Sequence, residues 1–164
     1  LLHDVKWGDL DVLICDLPPG TGDAQLTMAQ RVPLTGVVVV STPQDVALAD
    51  ARKGIAMFDK VNVPTLGLIE NMSYFLCPHC GERTEIFSHG GAQNEAKRRS
   101  IEFLGEIPID PYLRETSDIG TPLTAKEPDH AISQIFIEIG RKVANKIHST
   151  EADNAATTPK IVIS

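Results

Sequence analysis

Four consecutive valines at residues 37–40, set between Thr35-Gly36 and Ser41, most constrain how this chain folds. The run has no polar alternation. A strand apolar at every position is covered on both faces, as in a parallel sheet, whereas a sheet with one wet face alternates. Parallel neighbours need long crossovers, and the chain supplies them. Residues 42–45 turn into a helical stretch reaching about Lys60, with Leu48, Ala51, Ile55 and Phe58 at three- and four-residue spacing. Residues 65–70 read as the next strand, 91–99 as a helix and 102–107 as a further strand. This alternation predicts an α/β fold, a doubly wound, mostly parallel sheet. Upstream, the apolar run 10–16 ends on Asp16 and reads as another buried strand. The loop 17–23, with two prolines and two glycines, follows it, and Asp23 is placed to cap a helix over 24–30. The last long helix spans 129–148, with Ile132, Ile135, Phe136, Ile139, Val143 and Ile147 as its apolar stripe. The folded domain is therefore expected over 1–148. The polar, Ala/Thr-rich segment 149–164 is expected to be a disordered tail.

Composition narrows the function. At 164 residues, 42% hydrophobic and 23% charged, the chain is one globular domain. No window approaches the ~18 apolar residues of a membrane helix, so no stable membrane insertion is expected. A net charge of −7 lacks the basic footprint that nucleic acid requires. The cluster Lys97-Arg98-Arg99 is expected to face solvent on its helix. Three cysteines, an odd number, argue for a reducing compartment over a disulfide framework.

Three constellations carry chemistry. Asp16 closes a strand at the edge where open α/β sheets bind ligands, and a carboxylate there can hold Mg²⁺ directly or through water. Gly20 and Gly22 in the following loop let backbone N–H groups approach a phosphate. The second constellation, Cys77-Pro78-His79-Cys80-Gly81, sits in a segment, 71–89, that interrupts the alternation and reads as a small inserted hairpin. Two thiolates at this spacing can grip one soft metal centre, as in a metal knuckle. A thiol–disulfide pair is the rival, but such a pair opens a helix, and Gly81-Glu82-Arg83-Thr84 is a poor helix start. One CxxC supplies two ligands and Cys15 belongs to the sheet, so a four-sulfur site needs a second chain; the intrachain alternative is zinc with His79, badly placed between the two cysteines, or with His89. The third is Asn71, directly after the 65–70 strand, whose amide matches the donor and acceptor edge of adenine. Pro108 and Asp110 follow the 102–107 strand on the same sheet edge.

The strings DLPPGTGDAQLT (16–27), TPQDVALADARKG (42–54), ENMSYFLCPHCG (70–81), IFSHGGA (86–92), FLGEIPID (103–110) and RETSDIGTP (114–122) together resemble the Mrp/Nbp family. These are deviant P-loop ATPases of the MinD/ParA superfamily that carry iron–sulfur clusters, and the ApbC-like and mitochondrial complex-I-assembly branches are most similar. The resemblance covers about residues 1–148. It implies a SIMIBI-class P-loop NTPase sheet, a homodimer, and a [4Fe–4S] cluster shared between two subunits on Cys77 and Cys80 of each. It also implies ATP and Mg²⁺ at the sheet edge, with delivery of the cluster to apo-proteins and contact with scaffold proteins. Asp16 falls on the Walker-B position, Gly20 on the γ-phosphate-sensing loop, Asn71 on the adenine-reading residue, and Pro108 and Asp110 in the second base-contacting segment.

The family's Gly-rich GKGGVGKS loop has no counterpart here, and no Gly-Lys-Ser/Thr occurs in the chain. The resemblance places that loop upstream of Leu1, so the chain is expected to be an N-terminally incomplete part of an ATPase and a poor hydrolase alone. Two other functions fit parts of the sequence: a non-enzymatic, zinc-stapled interaction module, and a MinD-like positioning ATPase. The latter needs an amphipathic membrane helix, and the 129–148 stripe is better explained by core packing. The expected location is the cytoplasm if the source is bacterial, and the mitochondrial matrix or cytosol if it is eukaryotic.

Overall fold

The computed structural model describes residues 4–18 and 22–157. At its centre three parallel strands run in the order β1 (Val37–Ser41), β2 (Thr65–Glu70), β5 (Phe103–Glu106). Each crossover is helical: α2 (Asp45–Lys60) joins β1 to β2, and α3 (Gly91–Arg99) precedes β5. The predicted parallel α/β winding is what the chain forms.

Both faces of the middle strand β2 are covered, whereas the valines of edge strand β1 are half-buried and Val40 is exposed, so the full two-sided cover expected from the valine run falls to β2. On one face, Leu68 packs with Ile55 of α2 and Ala96 of α3, joined by Val39 and Phe103. On the other, Ile69, Leu104 and Ile107 pack against Ile139 of α6 (Ala131–Thr157), with Ile135, Phe136 and Val143 beside them. All four stripe residues of α2, Leu48, Ala51, Ile55 and Phe58, are buried. Two short helices, α4 (Pro111–Asp118) and α5 (Leu123–Lys126), fill the connection between β5 and α6. No helix among the described residues is long and apolar enough to cross a membrane.

The helices α2 and α3 are locked by one buried carboxylate. Glu95 accepts from Arg52 Nε at 2.9 Å, Arg98 Nη2 at 2.6 Å and Arg99 Nε at 2.6 Å. The basic cluster expected to face solvent therefore turns two of its three members back onto Glu95. Burial disfavours the charged carboxylate, but hydrogen bonds from Arg98, Arg99 and Arg52 outweigh that cost and bring its pKa down to about 2.

Three local expectations are corrected. Residues 10–16 form no strand, and Leu10, Val12, Leu13 and Ile14 are exposed. A strand exists only in a ladder, and no strand of the described residues lies along the outer edge of β1. Asp23 is the first residue of α1 (Asp23–Arg31) and not its cap, a position taken by Gly22. Finally, α6 continues to Thr157 past the expected end at His148. Ser149 Oγ and Thr150 Oγ1 donate to the Lys146 carbonyl at 2.9 Å, so these polar side chains bond back to the helix backbone instead of breaking it.

Candidate functional site

The carboxyl edge of the sheet gathers three of the singled-out residues. Asn71 follows β2 directly, and its backbone N–H donates to the Ser41 carbonyl at the end of β1. Pro108 and Asp110 follow β5. The Ile107 N–H donates to the Glu70 carbonyl at 2.8 Å and the Ser73 N–H to the Ile107 carbonyl at 3.0 Å, so these backbone bonds bracket Asn71 beside Pro108. The Asn71 side-chain oxygen accepts from the Met72 N–H at 2.9 Å. Its NH₂ makes no hydrogen bond among the described residues, which leaves two donors for a ligand.

Asp110 has a structural task that sequence reading missed. Its Oδ1 accepts from the Leu113 N–H at 2.8 Å and caps α4, with Pro111 in the first turn. The signal was present, since Asp followed by Pro is a helix-start pair. Asp16 lies in the exposed 10–16 segment and not at a strand end. Gly20 lies outside the described residues.

The segment 71–89 is the expected hairpin. Its arms are β3 (Phe75–Leu76) and β4 (Arg83–Thr84), paired antiparallel. Phe75 also bridges Ile109 in parallel, and the Ile109 N–H donates to the Tyr74 carbonyl at 2.7 Å, so this separate two-stranded sheet is tied to the segment that follows β5. Arg83 fastens it further: its guanidinium reaches Glu106 at 3.0 Å and lies 4.0 Å over the Tyr74 ring.

The thiols stand at the hairpin turn. The Cys77 N–H donates to the Glu82 carbonyl at 2.9 Å, and the Gly81 N–H to the Cys77 carbonyl at 2.8 Å. Gly81, at φ +73°, takes the left-handed conformation this tight turn needs. Inside the turn the backbone N–H of Cys80, then that of His79, and the Cys80 thiol hold the Cys77 thiol below its ordinary range. A turn with N–H groups aimed at sulfur favours thiolate, the form that binds metal. Cys80 is exposed and Cys77 half-buried. Cys15, expected inside the sheet, is exposed instead.

The intrachain zinc alternative finds no support. Among the described residues, no third His, Cys, Asp or Glu completes a set with Cys77 and Cys80 whose ligand atoms all lie within 4.8 Å of one another. His89 instead groups with Glu70 and Glu106. It also contacts Glu85 at 3.1 Å and Arg83 at 3.3 Å, so charged side chains of the hairpin already engage it.

Sequence reading also missed Glu70. This last residue of β2 is fully buried, and its carboxylate accepts from Ser73 Oγ at 2.7 Å, the Gly90 N–H at 3.2 Å and the Ala92 N–H at 2.7 Å.

The fold and its edge together make a parallel α/β sheet protein with an amide at the carboxyl edge and a two-thiol hairpin beside it. The family model described as "ParA: NUBPL iron-transfer P-loop NTPase" matches residues 1–144, and the chain belongs to that family. It is 54% identical to the iron-sulfur cluster transfer protein NUBPL of Dictyostelium discoideum, over 99% of this chain and 51% of that protein. It is 52% identical to the mitochondrial iron-sulfur protein required for NADH dehydrogenase of Arabidopsis thaliana, over 85% of this chain and 44% of that protein. It is 47% identical to the iron-sulfur cluster carrier protein of Escherichia coli K12, over 90% of this chain and 40% of that protein. The chain thus spans about half or less of these relatives. Among solved structures, the ADP-complexed nucleotide-binding protein of Archaeoglobus fulgidus superposes with a TM-score of 0.65 at 47% identity, covering 76% of this chain and 50% of that one.

Proposed function

We propose that this chain is the cluster-holding part of an ATP-dependent iron–sulfur carrier. The observation that carries the reading is the Cys77–Cys80 turn: two thiols, one pre-disposed to ionise, on a hairpin fastened beside the sheet, with no third donor in reach among the described residues. Two sulfurs are half of a tetrathiolate set, so the cargo, read as a [4Fe–4S] cluster, is shared with a second copy in a homodimer. A cluster held between subunits at an exposed turn can be loaded and released as the subunits meet and part. That is the property a carrier needs toward apo-protein recipients and scaffold proteins.

The carboxyl edge supplies the nucleotide side of the reading. Asn71 reads the adenine edge with its NH₂, and Pro108 and Asp110 flank the base. Asp16 holds Mg²⁺ and Gly20 contacts the γ-phosphate. ATP hydrolysis belongs to the whole protein, because no Gly-rich Lys-bearing loop occurs in these residues. The work is done in a reducing compartment, the cytoplasm of a bacterium or the matrix or cytosol of a eukaryote.

The test is anaerobic reconstitution of the full chain with iron and sulfide. Wild type is expected to develop the ~400 nm absorbance of thiolate-bound clusters and to shift from monomer to dimer as it loads. Cys77→Ala and Cys80→Ala each lose the absorbance and the shift. Full iron loading of a strict monomer sinks the shared-cluster reading.

A further inference from the structure

The hairpin leaves the sheet after β2 and returns to it at α3, and one carboxylate holds both ends. Glu70 is the last residue before the excursion. Its Oε1 accepts from Ser73 Oγ at 2.7 Å, three residues into the outgoing arm. The same oxygen accepts from the Gly90 N–H at 3.2 Å, and Oε2 accepts from the Ala92 N–H at 2.7 Å, where the returning chain enters α3. Three donors converge on a group that only accepts. An amide would turn its own NH₂ toward an N–H or hydroxyl, so the site selects a carboxylate. The first turn of α3 adds the positive end of its dipole. The return is held close: a Cβ on Gly91 would stand 2.7 Å from the Pro43 carbonyl oxygen and 2.6 Å from Leu48 Cδ1.

Glu70 and Ser73 are both fully buried. The outer fastening, Arg83 to Glu106, is partly exposed and correspondingly weak. The buried root therefore dominates the hairpin's attachment. Glu70 is also the neighbour of Asn71, so the same strand end carries the adenine-reading amide and the hairpin root.

We propose that Glu70 is the positioning residue of the thiol pair: by tying both ends of the excursion to the end of β2, it fixes where Cys77 and Cys80 stand relative to the edge formed by Asn71, Pro108 and Asp110. The consequence for cluster handling rests on the carrier reading; the structural consequence does not. Glu70 touches no cargo and acts through the hairpin.

The experiment compares wild type, Glu70→Gln and Glu95→Gln in the full chain. Glu95→Gln is the matched control, a buried carboxylate with three donors that ties α2 to α3 and leaves the hairpin alone. Amide hydrogen exchange over 72–89 is expected to rise about tenfold in Glu70→Gln, the loss of one charge-assisted hydrogen bond, and to stay at the wild-type rate in Glu95→Gln. Iron release to a ferrous chelator from the reconstituted protein follows the same order, about tenfold faster in Glu70→Gln alone. Equal exchange over 72–89 in both variants overturns the proposal. If Glu70→Gln does not fold, Ser73→Ala, which keeps both backbone donors, must raise exchange over 72–89 by a smaller factor, and an unchanged rate overturns the proposal. A wild type that takes up no iron overturns the carrier reading and leaves the exchange comparison to judge Glu70.

Discussion

Acid should loosen the α2–α3 lock. Glu95 carries the most clearly displaced carboxyl among the described residues, lowered from its ordinary 4.5 to about 2. Its folded pKa lies below the unfolded one, so its contribution is complete above about pH 5 and is lost as pH falls through 4.5 toward 2. A displacement of that size is worth about 3 kcal/mol at neutral pH, taking ~1.4 kcal/mol per pH unit. Arg98 is 61% exposed and Arg52 37%, so solvent screens part of the attraction. About 2 kcal/mol is the better expectation after that discount. Linkage removes more than half of this, roughly 1.2 kcal/mol, by about pH 3, where the unfolded carboxyl is protonated and the folded one is not. Urea unfolding of wild type and Glu95→Gln at pH 7 and pH 3 measures it. Other carboxylates titrate alike in both proteins, so wild type should lose about 1 kcal/mol more than the variant between the two pH values. Parallel losses in the two proteins would refute the reasoning, because the three arginines would then not be holding an ionised Glu95.

The other expectations concern the sheet and its edge. Gly67→Ala puts a methyl 2.6 Å from Leu104 Cδ1 and 2.9 Å from Cδ2, inside a packed core. It should cost about 1–3 kcal/mol by overpacking, read from the urea midpoint at unchanged m-value. Asn71→Ala and Asp110→Ala should separate by assay: the first weakens adenine nucleotide binding about tenfold by calorimetry with little change in melting temperature, whereas the second removes the α4 cap and costs about 1 kcal/mol of stability.

The parts of the fold that were legible are those fixed by local pattern. The valine run, the Leu48-Ala51-Ile55-Phe58 stripe and the 65–70 run gave β1, α2 and β2 nearly to the residue, because burial repeats at the period of the backbone. The thiol turn was legible for the same reason, since Pro78 and Gly81 act within four residues. Glu70 was not. A carboxylate ending an apolar run reads as a strand terminator, and its partners Gly90 and Ala92 lie 20 and 22 residues away. The extension of α6 was hidden because the apolar stripe stops near Ile147 while no glycine or proline intervenes before Pro159. Asp110 also meets a structural demand, an orphan N–H at the start of α4, that the ligand reading passed over.

The run 10–16 misled for a deeper reason. Its composition is that of a buried strand, yet Ile14 is 85% exposed and Val40, on edge strand β1, is 56% exposed. Pattern specifies that a segment is able to pair; it does not supply the neighbour. Burying Leu10, Val12, Leu13 and Ile14 would be worth about 1–2 kcal/mol each, enough to order the segment once a ladder is available. Asp16 ends that same segment, so its carboxylate reaches the sheet edge only when the run is paired. The thiol hairpin needs no such pairing, because its root on Glu70 at the end of β2 and its bridge to Ile109 are made among residues already packed. Of the two halves of the proposed chemistry, the thiol pair therefore stands on packed elements of these residues, and Asp16 does not.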